Sequence, residues 1–219
     1  MKSKSACPSR PTGTDRRIAI PCISARVSTL VKRQHGMFVL LAALAPPALA
    51  AERYTFDPTH SAPVFEFTHL GLTTQTGRFD RAGGEMVIDR AAHKGSVTYE
   101  VETASLNMGY GTETPDSAGY QLFQVGKFPK IRFNSTRLDF DAAGNVIAAA
   151  GRLTLLGVTR PLTVTVSGFK CSVAPLLKKM MCAGNISATV KRSDFGMIDY
   201  IPNISDEIRV SVPVEAYRN

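Results

Sequence analysis

The sequence predicts an all-β protein of eight or nine antiparallel strands with one short helix, closed as a barrel or folded as a sandwich. Three observations carry this. From residue 53 onward, segment after segment alternates apolar and polar side chains. That period of two marks strands with one wall against an apolar space and the other in water. No helical pattern is long enough for βαβ crossovers, which argues against a parallel sheet. Turn-forming residues separate the runs, and a closed barrel leaves no exposed edge.

The first fifty residues follow a different rule. Lys32, Arg33 and His35 precede the apolar run from Met37 to Ala45, and Pro46-Pro47 leads to Ala48-Leu49-Ala50. A positive segment, a short apolar core and a small-x-small site form a secretory signal, with cleavage expected after Ala50. An apolar core of about nine residues is far short of the roughly 20 that span a bilayer. Residues 1–30 are basic and long for a signal, so the true translation start is expected downstream, between Val27 and Met37. This divides the chain into a leader, 1–50, and one exported domain, 51–219.

The elements then follow in order. Tyr54-Thr-Phe is a short strand, ended by the turn Asp57-Pro58-Thr59-His60. Phe65 and Phe67 share one face of the strand from Ala62 to Thr68. Gly77 to Asp80 resumes the pattern, and Gly83-Gly84 reads as a turn before Glu85–Arg90. The strand at Ser96–Thr103 sets Val97, Tyr99 and Val101 against Thr98, Glu100 and Glu102. Residues 105–127 lose the alternation, and Thr112 to Phe123 suggests a short helix capped near Pro115-Asp116. Phe133 belongs to the run Lys130–Phe140, which turns at Asp141 to Asn145. Leu153 and Leu155 lie on the inner face of Val146–Leu155. A turn at Gly157 to Pro161 starts the strand Leu162–Cys171, whose inner face carries Leu162, Val164 and Val166; Pro161 suits its start because it lacks an amide proton. Ile186 and Val190 follow in Asn185–Arg192. After a turn at Asp194-Phe195-Gly196, Ile208 and Val210 open the last run, Asp206–Tyr217.

Charge and cysteines change meaning once the leader is removed. Eight of the 26 Lys and Arg, against one of the 18 acidic residues, lie in residues 1–50. That leaves 18 basic and 17 acidic residues from Ala51 on, so the formal charge of +8 gives no support for nucleic-acid binding. Cys7 and Cys22 leave with the leader. Cys171 and Cys182 remain as an even pair in an exported chain and are expected to form a disulfide, worth roughly 3 kcal/mol for a loop of about 12 residues. Between them, Leu176, Leu177, Met180 and Met181 flank Lys178 and Lys179. Either the apolar residues fold back as a lid on the barrel, or segment 173–181 rests on a membrane surface with its lysines on anionic lipid.

Catalytic signatures do not appear. His60, His69 and His93 have no metal-ligand spacing, although His60 and His69 stand near strand ends where they could converge. There is no nucleophile elbow, phosphate loop or His-Glu-x-x-His. Carboxylates such as Asp89, Glu100, Glu102 and Asp194 fall where a solvated strand face would place them. No catalytic residue, metal ligand or cofactor is nominated, and the protein is read as a non-enzyme.

Four segments resemble the YceI-like family of periplasmic proteins. They are Asp57-Pro-Thr-His60 through Gly71 with Gly77-Arg78-Phe79, Lys127-Phe128-Pro129-Lys-Ile131-Arg-Phe133, Gly151-x-Leu-Thr-Leu-x-Gly157 with Thr159-Arg160-Pro161, and Arg192-Ser-Asp194-Phe195-Gly196-Met197. The resemblance covers residues 53–217 and implies an extended lipocalin-like antiparallel barrel that binds polyisoprenoids and similar amphiphiles. The chain departs from the family where a His-Leu and an Asp-aromatic pair usually precede Lys-aromatic-Pro: Asp116-Ser117 and Gln121-Leu122 stand there. The Cys-bounded loop is a second departure.

The apolar faces either fill the barrel or enclose one ligand. The resemblance favours a lumen lined by Phe65, Phe67, Val97, Tyr99, Val101, Phe133, Leu153, Leu155, Val164, Val166, Ile186, Val190, Ile208 and Val210. The expected occupant is an isoprenoid or fatty-acyl lipid, with Arg78, Tyr110 or Arg160 meeting its head group. The alternative is a ligand-free structural or stress-response barrel acting through protein contacts. A homodimer is a further expectation.

Overall fold

The computed structural model describes residues 51–111 and 117–219. The leader therefore lies outside the described residues, as does the helix cap expected at Pro115-Asp116. Eleven strands are described: β1 Glu52–Phe56, β2 Val64–His69, β3 Thr73–Phe79, β4 Ala82–Asp89, β5 Lys94–Glu102, β6 Leu106–Asn107, β7 Lys130–Phe140, β8 Val146–Leu155, β9 Val158–Val173, β10 Met180–Lys191 and β11 Glu207–Arg218. The single α-helix among these residues, α1, spans Ala118–Phe123.

Eight strands close the barrel in the order β1, β4, β5, β7, β8, β9, β10, β11, with β11 returning to β1 through Tyr54↔Arg218 and Phe56↔Ala216. Every pairing is antiparallel. The count of eight or nine thus holds for the closed ring, and the extra strands come from one ribbon. β2 pairs with the first half of β11 (Val210↔Phe65), β3 pairs with β2, and β6 covers the end of β3. The β2–β3 ribbon thereby prolongs the β1–β4 ribbon and lengthens one end of the barrel.

The bend between β1 and β2 is fixed on a single residue of β11. The Asp57 amide donates to the Glu215 carbonyl at 2.8 Å, and the fully buried Ser61 hydroxyl both donates to that carbonyl and accepts from the Glu215 amide, each at 3.2 Å. The corner's backbone groups are satisfied there without a strand ladder.

Several turns differ from the sequence expectation. β8 and β9 join through Leu156 and Gly157, with φ of 49° and 74°. That two-residue loop matches the strand twist but requires left-handed residues, and a leucine gives no local sign of it. Pro161 accordingly sits inside β9, opposite Arg152. The β10 pairing begins only at Thr165, so the missing amide falls where β9 has one neighbour. Gly83 and Gly84 are not a turn; they lie within β4, paired with Glu100 and Tyr99 of β5. α1 is capped by Ser117, whose hydroxyl accepts from the Tyr120 amide at 3.4 Å. Residues Arg192–Phe195 form one turn of 3-10 helix, ended by left-handed Gly196.

Candidate functional site

The barrel encloses a cavity of about 740 Å³, within the range of small-molecule sites. Its geometry follows from the strand alternation, because inward residues of successive strands form rows along the lumen. All fourteen residues expected to line it lie on its wall: Phe65 and Phe67 of β2; Val97, Tyr99 and Val101 of β5; Phe133 of β7; Leu153 and Leu155 of β8; Val164 and Val166 of β9; Ile186 and Val190 of β10; and Ile208 and Val210 of β11. The interior is hollow, so its inward faces do not simply fill one another.

The two ends of the cavity differ. One end lies near the β9–β10 turn and is packed by buried Leu138, Val146, Ala149 and Phe169. Behind them Ile88 and Cys182 are almost wholly buried, and the Arg90 guanidinium lies over the Phe169 ring at 5.8 Å. The other end is roofed by α1, where Phe123 meets Phe79 edge-on at 5.1 Å and Phe65 at 6.2 Å. Here the polar side chains of the wall gather: His69, Gln75, Tyr110, Ser117 and Arg192. The Tyr110 hydroxyl donates to Gln75 Oε1 at 2.8 Å. The cavity is therefore apolar along its length and polar at one mouth.

Tyr99 is the polar exception within the lumen. Its hydroxyl donates to the Ser61 carbonyl, so it is spent on the β1–β2 corner. Burial pushes its pKa upward and keeps it protonated.

Of the head-group candidates, only Tyr110 lies on the wall. Arg78 points outward from β3 and pairs with Asp80 at 2.6 Å, because the inward positions beside it are Gly77 and Phe79. Arg160 donates from Nε to the Asp194 carbonyl at 3.1 Å, which ties β9 to the 3-10 turn. The sequence reading did not place His69, Gln75, Ser117 or Arg192 at the mouth, and of these Arg192 is the one that is buried. It continues the inward row Ile186, Ala188, Val190, and that period of two was the available signal.

His60 and His69 do not converge. β2 separates them by about 20 Å of extended chain. His69 bridges to Ile204 at the mouth, while His60 Nδ1 lies 2.7 Å from Asp57 and 3.6 Å from Glu215 on the outer face. Asp57, His60 and Glu215 are close enough to one another to hold a metal ion. Their partly exposed setting and the Asp57–His60 contact are equally those of a hydrogen-bonded corner. The hydrogen bond that Asp57 accepts from His60 raises the His60 pKa and lowers that of Asp57, with the Glu215 charge adding to the first effect.

The segment between the cysteines is not a lid. Leu176 is 91 % exposed and Leu177 56 % exposed, held out by a tight turn in which the Lys178 amide donates to the Ala174 carbonyl. The disulfide is present, joining Cys171 and Cys182 directly across β9 and β10 with Cα atoms 4.0 Å apart.

A closed eight-stranded antiparallel barrel, lengthened by a ribbon and hollow along its axis, defines a lipocalin-like class of fold. The model of the YceI-like domain matches residues 54–216, and the chain belongs to that family. Among curated relatives, a UPF0312 protein of Shewanella oneidensis is 34 % identical over 125 residues, covering 55 % of this chain and 64 % of that protein. Another from Shewanella putrefaciens is 32 % identical over 124 residues, with the same coverage. The matched stretch thus spans just under two thirds of these relatives. Among solved structures, BcnA of Burkholderia cenocepacia superposes with a TM-score of 0.56 at 20 % identity, covering 73 % of this chain and 98 % of that one. A polyisoprenoid binding domain from Saccharophagus degradans, implicated in plant cell wall breakdown, gives 0.53 at 18 % identity, covering 76 % and 98 %. At such identities the likeness is one of fold.

Proposed function

We propose that this protein binds a long-chain amphiphile, a polyisoprenoid or a fatty-acyl lipid, with its tail in the barrel and its head at the α1 mouth, and performs no catalysis of its own. The observation that carries this is the continuous apolar cavity whose polar side chains, Tyr99 apart, gather at one end. Burying a tail there contributes about 0.8 kcal/mol per CH₂-sized unit before ordering costs, so the lumen alone can hold a long chain. The polyisoprenoid-binding function named for one structural neighbour supports the choice of ligand class.

The test is native mass spectrometry of gently purified protein, together with a filled-lumen variant. A retained adduct of a few hundred daltons is expected in the wild type and lost in Ala188→Trp, whose side chain enters the cavity wall. A wild type that arrives bare and takes up no lipid when offered it sinks the reading in favour of a ligand-free barrel working through protein contacts. The mass of the same sample reads the oligomeric state, where a homodimer is expected.

The proposed setting is the periplasm, after cleavage behind Ala50. N-terminal sequencing of the exported protein tests it. The exposed Leu176 and Leu177, beside exposed Lys178 and Lys179, support a peripheral membrane contact through 173–181. Equal co-sedimentation of wild type and Leu177→Asp with anionic vesicles would remove that contact.

A further inference from the structure

Arg192 is the charged side chain that the fold buries among the described residues, at 3 % exposure. Its partners are unusual for a cation in this chain. Nε donates to the Ser205 carbonyl at 3.0 Å, Nη1 to the Met197 carbonyl at 2.9 Å and Nη2 to the Ile204 carbonyl at 2.9 Å. All three acceptors are neutral. Arginines on the outer surface do the opposite: Arg53, Arg81, Arg132, Arg209 and Arg218 each meet a carboxylate. Asp206 and Asp199 act on Arg192 only through space, and Asp206 is held by the Ser193 amide and hydroxyl, both at 2.8 Å.

A guanidinium has five N–H donors, so the three carbonyls leave two without a partner among the described residues. Burial pulls its pKa below the usual arginine value, yet a guanidinium remains charged at neutral pH. A buried cation whose direct partners are neutral carbonyls, with Asp206 and Asp199 acting only through space, still carries a desolvation cost that an anion in contact would offset. Arg192 also stands on the cavity wall at the polar mouth, where the head of a tail-first ligand would rest.

We propose that Arg192 is the anchor of an anionic head group, so that the cavity selects amphiphiles ending in a carboxylate or phosphate oxygen over neutral ones of the same tail. This rests on the lumen reading above. The planar fork of the guanidinium suits either anion, and a hydrogen bond to a charged group is roughly twice as strong as one between neutral groups.

The experiment uses delipidated protein and displacement of a fluorescent apolar probe by two matched pairs: palmitate against hexadecanol, and geranylgeranyl phosphate against geranylgeraniol. The wild type is expected to prefer the acidic member of at least one pair by about ten- to a hundredfold. The pair showing the larger preference distinguishes carboxylate from phosphate. Arg192→Met should erase the preference while leaving the alcohols within about threefold, and Arg192→Lys should keep part of it. Equal binding of acid and alcohol by the wild type overturns the anchor and leaves the lumen reading intact. Equal weakening of both by Arg192→Met also overturns it, because the side chain then only holds the 197–205 loop. Binding of none of the four overturns the lumen reading, and the anchor with it. If thermal melting shows Arg192→Met to be unfolded, the wild-type preference and Arg192→Lys decide.

Discussion

Ser135 and Gly151 face each other across β7 and β8 at the point where the ladder slips by one residue, between Ser135 and Arg137. Ser135 is buried, and its hydroxyl lies 2.6 Å from the Ala150 carbonyl and 2.8 Å from the Arg137 carbonyl while accepting from the Arg137 amide at 3.3 Å. The hydroxyl stands in for the backbone partners that a bulge leaves unmatched. Ser135→Ala is expected to lower stability by about 1–3 kcal/mol in urea unfolding, the penalty for stranding buried groups. An unchanged midpoint would mean that water replaces the hydroxyl.

The opposite side of that pair allows no side chain. A Cβ on Gly151 would meet the Asn134 carbonyl and come within 2.8 Å of the Phe133 ring. Backbone cannot retreat cheaply, and Phe133 can move only into the cavity it lines. Gly151→Val should therefore cost about 1–3 kcal/mol and weaken amphiphile binding together, as overpacking does. Loss of stability with unchanged binding would show that the strain escapes outward.

Removing the cross-strand bond between Cys171 and Cys182 by a double change to Ala is expected to lower stability by roughly 3 kcal/mol, since 11 residues of sequence separate the two. Denaturation of the wild type with and without reductant should give the same difference. The bond sits at the packed end, so probe binding at the α1 mouth should survive the change. Joint loss of both would mean that the packed end and the mouth unfold as one unit.

The Asp57–His60 contact makes corner stability depend on pH. The folded His60 pKa lies above its ordinary value of 6.5, so its contribution is complete below that value and fades as pH rises through the raised pKa. Asp57 has the opposite sign: its folded pKa lies below 3.8, so its contribution is present above 3.8 and is lost as pH falls through the lowered value. Stability should thus decline on moving upward from about pH 6.5, and His60→Gln should remove that decline. Melting temperatures across this range check it, and an identical slope in the variant would place the titration elsewhere.

Alternation put these fourteen residues on the apolar faces of their strands, because one-sided burial leaves a period-two record in any strand; that those faces enclose a lumen was implied by the family resemblance and not by the pattern. Features set by contacts distant in sequence left no such record. The pairing of β2 with β11 joins Phe65 to Val210, and the fixing of Ser61 on Glu215 spans 154 positions. The Leu156–Gly157 turn hid behind a residue type that rarely adopts positive φ. Arg192 was passed over for a different reason. A charge at the end of an inward row looks like the row's end until the loop carbonyls that surround it are known.

Ala149 marks how deep a tail can reach. It is buried on β8 opposite Val164 and Leu138, on the cavity wall beside the packing of Val146 and Phe169. A phenyl ring at this position would occupy the far part of the lumen and leave the α1 mouth untouched. Ala149→Phe is therefore expected to bind short fatty alcohols like the wild type and to lose affinity only beyond a threshold length, by about 0.8 kcal/mol for each CH₂ denied burial. Some loss of stability, about 1–3 kcal/mol, should accompany the larger side chain. A displacement series over alcohols of increasing length reads the threshold directly. Uniform weakening at every length would place the tail elsewhere than in the deep lumen, because only a ligand lying along the barrel axis can sense a block at its far end.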